Sequence, residues 1–222
     1  MLTGMVTNYR GSLDYWLDHF AWFDFVSINE YPILMVVWNL FLLVFPFLAA
    51  YLLKKYFFNF RSLSLFRKSQ GAFLFVIWLL FFPNSAYIIT DIRHISGYCP
   101  GADLTRVCVS QAWMIIFFFI YAFLGWVAFV CLLNQMRCWI KEEGGEYLNK
   151  IFPVVIIPLT SLGVLLGLLN RFNSWEIFLR PGEIIRVSGL YFSQLPFFWD
   201  WLVFTLGFYF LYYLGNYLFR KF

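Results

Sequence analysis

The sequence predicts an all-α protein, a polytopic membrane helix bundle of about five transmembrane helices with an interfacial amphipathic helix at the N-terminus. Three observations carry this. The 222 residues are 62% hydrophobic and only 13% charged, whereas a soluble chain is nearer half apolar and a quarter charged. Long apolar stretches recur along the chain, and the charges crowd between them.

Leu13 to Val26 places Trp16, Leu17, Phe20, Phe23 and Val26 on one side of a helix and Asp14 and Asp18 on the other. That pattern, rich in acids, suits a helix lying in the interface, with a sixth span as the alternative. Spans follow at Tyr31 to Leu53, Gly71 to Thr90, Ala112 to Leu133, Ile151 to Leu169 and Phe197 to Phe219. Each approaches the roughly 20 helical residues needed to cross a hydrocarbon core about 30 Å thick. None holds Lys, Arg or Glu, and their only acid is Asp200 near one end. No cleavable signal peptide, repeat or linker is visible, so residues 1–222 read as one integral membrane domain.

Orientation follows from the basic residues, which are retained on the cytoplasmic side. Lys54, Lys55, Arg61, Arg67 and Lys68 crowd the first connection and place it inside. The N-terminus is then outside and the C-terminus cytoplasmic. Arg137, Lys141 and Lys150 in the third connection, and Arg220 and Lys221 in the tail, agree with this. The net charge of +4 is thus a vectorial asymmetry. No basic stripe interleaved with exposed aromatics points to nucleic acid, and the expected partners are membrane lipids, whose anionic head groups suit the inner connection. Cys99 and Cys108 share an outer connection where a disulfide is open, whereas Cys131 and Cys138 lie at the inner end and should stay reduced. The many aromatic residues suit lipid contact and interfacial anchoring.

The informative stretch closes the outer half of the second helix. At 100° per residue Asn84, Tyr87, Asp91 and His94 share one face if the helix runs on to His94, while Arg93 points the opposite way. Polar groups in a bilayer are costly unless they face protein, so this face turns inward. Pro83 removes a backbone donor where it begins. A second cluster, Asn170 to Glu176, emerges on the same side with Arg171, Asn173, Ser174 and Trp175. Asn39 in the first helix lies at a depth comparable with Asn84, which predicts an Asn–Asn contact. Gly163-x-x-x-Gly167 permits close helix approach, within the chain or to another copy or partner as an oligomer.

Trp38-Asn39-Leu40-Phe41-Leu42 with Pro46, Pro83-Asn84-x-x-Tyr87-x-x-Thr90-Asp91-x-x-His94, Asp103-Leu104, Gly163-x-x-x-Gly167 and Arg171-x-Asn173-Ser174-Trp175-Glu176 resemble a bacterial membrane family catalogued as domain of unknown function 1361. Glu176 departs from that family's usual Asp, Leu168 from a frequent Arg, and Ala102 from a Tyr. The resemblance implies important positions and a bacterial plasma membrane, but no chemistry.

Three function classes are weighed. Asp91 and His94 present a carboxylate and an imidazole that suit catalysis or a divalent metal ion, with Glu176 and Asp103 as further ligands. Asn84, Tyr87, Arg171, Trp175 and Glu176 would bind a metal ion or an anionic or lipid head group in an outer-face pocket, for hydrolysis or transfer. In the bland alternative the same side chains are packing clamps of a structural or partner subunit, with Asn173 and Glu176 forming a capping box for a short helix that stops at Pro181-Gly182. A transporter or channel needs ionisable groups along the whole path. The middle and inner parts offer little beyond Thr160, Ser161, Thr205 and Asn216, which disfavours it.

Overall fold

The computed structural model describes residues 27–28, 31–57, 62–93 and 113–219. Leu13 to Val26, His94, Cys99, Asp103 and Cys108 lie outside them. A two-residue antiparallel bridge joins β1 (Ser27–Ile28) to β2 (Tyr31–Pro32). The rest is helical: α1 (Ile33–Leu42), α2 (Val44–Tyr56), α3 (Leu65–Phe81), α4 (Pro83–Thr90), a 3-10 turn (Asp91–Arg93), α5 (Trp113–Asn170), α6 (Glu176–Leu179), α7 (Pro181–Ser193) and α8 (Leu195–Phe219).

Four continuous helical runs are long and apolar enough to cross a membrane. One of them, α5, is 58 residues long. A straight helix of that length would reach about 87 Å, nearly three times a hydrocarbon core. It turns at Gly145, whose φ of 85° and ψ of 179° are open to glycine and hardly to any other residue. The arms, residues 113–144 and 146–170, are the third and fourth spans, so the described residues hold five. The second span begins earlier than expected, at Leu65, because Ser64 caps its first turn. The third connection, expected as a loop, is instead helix on either side of the Gly145 bend. We call the two ends of the bundle the Asp91 end and the Gly145 end.

Prolines divide the first two spans. Pro46 offers no N–H to the carbonyl of Leu42, where α1 stops, and Pro83 none to that of Leu79, so helix assignment breaks at Phe82. The axis continues because Leu43 and Phe82 keep helical dihedrals. The broken turn is repaired by side chains. Ser85 N–H shifts to the carbonyl of Phe82 at 3.1 Å, and the carbonyl of Phe81 accepts from Asn84 Nδ2 at 3.1 Å.

The core is aromatic as well as aliphatic. Trp78 stacks on Phe82 at 4.5 Å between centroids and Phe82 on Phe129 at 5.4 Å; Phe129 in turn meets Phe208 of α8. Lipid contact therefore explains only part of the aromatic content, for instance the exposed Phe73 and Phe210. Small residues let α4 sink between two neighbours. A Cβ on Gly125 would stand 2.9 Å from the carbonyl oxygen of Ser85 and 2.7 Å from Cγ2 of Ile88. On the other side one on Gly163 would meet Pro83 at 3.0 Å, and one on Gly167 the Tyr87 ring at 3.5 Å. The Gly163-x-x-x-Gly167 face is thus used for packing inside the chain.

The Gly145 end holds a polar chain that sequence reading missed. Asn134 donates to Asn216, Tyr212 to Asn134, and Arg137 to both Tyr212 and Asn149. Asn149 donates to Glu146, which pairs with the exposed Lys141. Ionisable groups are therefore not confined to the other half.

Gly125→Ala should destabilise the protein by about 1–3 kcal/mol, since a backbone carbonyl cannot swing away as a side-chain tip can. Gly207→Ala, whose Cβ meets nothing within 4 Å, should leave stability unchanged or slightly higher. Thermal unfolding of the two variants in detergent reads the contrast.

Candidate functional site at the Asp91 end

The site is built on α4 and the 3-10 turn that ends it. Asp91 is only 1% exposed, so its carboxylate must be satisfied within protein. Asn39 Nδ2 reaches it from α1 at 3.2 Å. The expected Asn39–Asn84 contact is therefore corrected: Asn39 serves Asp91, and Asn84 turns instead to Ser174 Oγ at 3.3 Å. A charged acceptor outcompetes a neutral amide for a donor in a low-dielectric interior.

The α-helix ends at Thr90, whose hydroxyl bonds the carbonyl of Tyr87, and the chain tightens there into the 3-10 turn. A 3-10 turn advances about 120° per residue instead of 100°, which brings Arg93 to about 60° from Tyr87. The expectation that Arg93 points away is overturned, because its Nη2 lies 3.5 Å from the Tyr87 hydroxyl. The charges of Asp91, Arg93 and Arg171 all act on that hydroxyl. Sequence reasoning could have found Arg93 only by foreseeing the tightened turn.

Arg171 is placed by an unusual backbone. Its φ of 59° is left-handed, uncommon for a residue other than glycine, and it ends α5 while Phe172 N–H returns to the carbonyl of Leu166 at 3.2 Å. The chain folds back over α4, Ser174 meeting Asn84 and Trp175 lying edge-on to Trp38 at 6.3 Å between centroids. Arg171 itself is exposed at the rim.

Glu176 is fully buried, with one oxygen on Arg180 and the other accepting from Asn173 N–H at 2.7 Å. The second bond is the carboxylate half of a capping box. Its helix stops at Leu179, yet Pro181 does not end the helical structure: it sits at the first position of α7, where a missing N–H costs nothing.

Tyr121 was not expected here. Its hydroxyl, on a residue 3% exposed, lies beside Asn39 and Asp91 without a partner in hydrogen-bond geometry among the described residues. Only its helical spacing on the third span, one turn before Gly125, signalled proximity. The arrangement brings Asn39, Asn84, Tyr87, Asp91, Arg93, Tyr121 and Arg171 to one end. Among the described residues no three His, Cys, Asp or Glu side chains come together. Chemically the end presents guanidiniums around a tyrosine, next to a buried carboxylate.

A family model described as a protein of unknown function, DUF1361, matches residues 38–214, which is well over half of the chain. No curated protein matches the chain, and no solved structure does.

Loss of Glu176 tests its clamping role. Glu176→Ala should cost about 1–3 kcal/mol, because Arg180 and a backbone N–H lose their acceptor. Glu176→Gln keeps an acceptor for Asn173 and should cost less. Equal stability of both variants and the parent in thermal unfolding would remove the clamp.

Proposed function

We propose, since the chain belongs to the DUF1361 family of proteins of unknown function and takes no activity from it, that the Asp91 end of this membrane protein recognises an anionic group. The ligand is a phosphate or carboxylate, most simply a lipid head group, reaching the bundle at the water boundary. The observation that carries this reading is the convergence of Arg93 and Arg171 on Tyr87. Planar guanidinium forks suit oxyanions. Asp91 stands beside this spot, where a carboxylate can take a proton during hydrolysis or transfer. The reading also sets this end outward across a bacterial cytoplasmic membrane, supported by the basic residues Lys54, Lys55, Arg67 and Lys68 at the other end.

A second reading, a structural subunit with packing clamps, is favoured by Glu176, whose oxygens both serve the fold. The two readings differ over Arg171, which is exposed at the rim.

Arg171→Gln should leave thermal stability unchanged and weaken retention of anionic lipid, read by native mass spectrometry in mixed anionic and zwitterionic lipid. Loss of stabilisation by inorganic phosphate, with lipid retention unchanged, would assign the site to a soluble anion. No change in either would leave the clamp reading standing.

A further inference from the structure

The helix α7 (Pro181–Ser193) belongs to no span, and its position is set by connectivity. It begins after the fourth span ends at Asn170 and finishes immediately before α8 starts at Leu195. Both spans meet the water boundary at the Asp91 end, so the thirteen-residue helix between them lies at that boundary.

Its residues divide into three faces. Ile184, Val187 and Tyr191 pack on Leu165, Leu166, Phe197 and Trp201 of the fourth and fifth spans. The Tyr191 hydroxyl anchors this face, donating to Asn170 Oδ1 at 3.0 Å. Burial, and then the Asp200 carboxylate, push that hydroxyl up to about 12, so it remains a neutral donor. Ile185 projects away from the bundle with 72% of its surface uncovered, and Phe192, seven residues on, keeps 55% uncovered while its ring meets the Trp201 ring edge-on at 5.1 Å between centroids. Arg186, Gly182 and Ser193 are exposed on a third side. At 100° per residue the centres of the three faces lie about 90–155° apart.

We infer that α7 lies in the plane of the bilayer within the monolayer at the Asp91 end, with Ile185 and Phe192 among acyl chains and Arg186 among head groups. A soluble surface helix would leave two large apolar side chains in water beside a charged one; at a lipid boundary each of the three sides has its own solvent. The apolar side is also continuous with the uncovered Trp199 and Val203 of α8, which face outward from the bundle. Phe178 and Leu179, just before α7 begins, are uncovered as well. The occupant of this surface is lipid rather than a second copy of the chain, because Arg186 borders the apolar strip where a head group would sit, and Glu183, the acid one turn before it, pairs with Arg180 instead. This holds whether or not the anion site proposed above exists.

The test places the photo-crosslinker p-benzoylphenylalanine singly at Phe192, Ile185 or Arg186 of the full chain, in vesicles of phosphatidylethanolamine and phosphatidylglycerol. Phe192 tolerates the swap with least change of shape, so it reports even if the Ile185 variant does not fold. After illumination, mass spectrometry should find severalfold more lipid adduct at Phe192 and Ile185 than at Arg186. Equal lipid adduct at the apolar positions and Arg186, or adducts mainly to a second copy of the chain, would overturn the inference.

Discussion

The fold depends on one constraint: a span broken by proline carries polar groups that lipid cannot satisfy. In a hydrocarbon core every donor and acceptor must find a partner in the protein. The second span meets this by going to the middle of the bundle. Gly125, Gly163 and Gly167 clear the room, and Asn84, Ser85 and Asn39 supply the hydrogen bonds. Burial of Asp91 follows from that placement, since the same face continues into the 3-10 turn.

The two ends of the bundle use polarity differently. At the Gly145 end, Asn134, Arg137, Asn149, Tyr212 and Asn216 form a continuous chain joining the third, fourth and fifth spans. Each of those groups serves another, and Arg137 also lies over the Tyr212 ring, which is the signature of a lock. At the Asp91 end, charged groups gather around Tyr87 near the rim, and the Tyr121 hydroxyl stands beside Asn39 and Asp91 without a partner in hydrogen-bond geometry among the described residues. Function is therefore sought at that end.

Much of this was legible in the amino-acid order. Hydropathy located the five spans among the described residues, and Asp91 on the expected polar face is buried while Asn84 and Tyr87 are half-buried, because the cost of exposing polar groups to lipid leaves little choice. The misses have physical causes. Arg93 was misplaced because a helix that tightens in its last turn changes its angular step. Asn39 was paired with the wrong partner because depth along two helices fixes level but not which acceptor is stronger. Helix α7 was missed because Pro181 reads equally as a stop and as a first helical residue, and Arg171 gave no sign of its left-handed backbone. The Gly145 bend hid a helical connection, since Lys141, Glu142 and Glu143 look like loop residues by charge.

The central claim is that the buried pair of Asn39 and Asp91 ties the first span to the second. A double-mutant cycle measures it directly, with Asn39→Ala, Asp91→Asn and the combined variant compared by unfolding in detergent. The account predicts non-additivity of roughly 0.5–2 kcal/mol, as for contacting polar residues between membrane helices. Effects that add to within about 0.3 kcal/mol would show that the two side chains do not meet, and the placement of α4 at the centre of the bundle would lose its support.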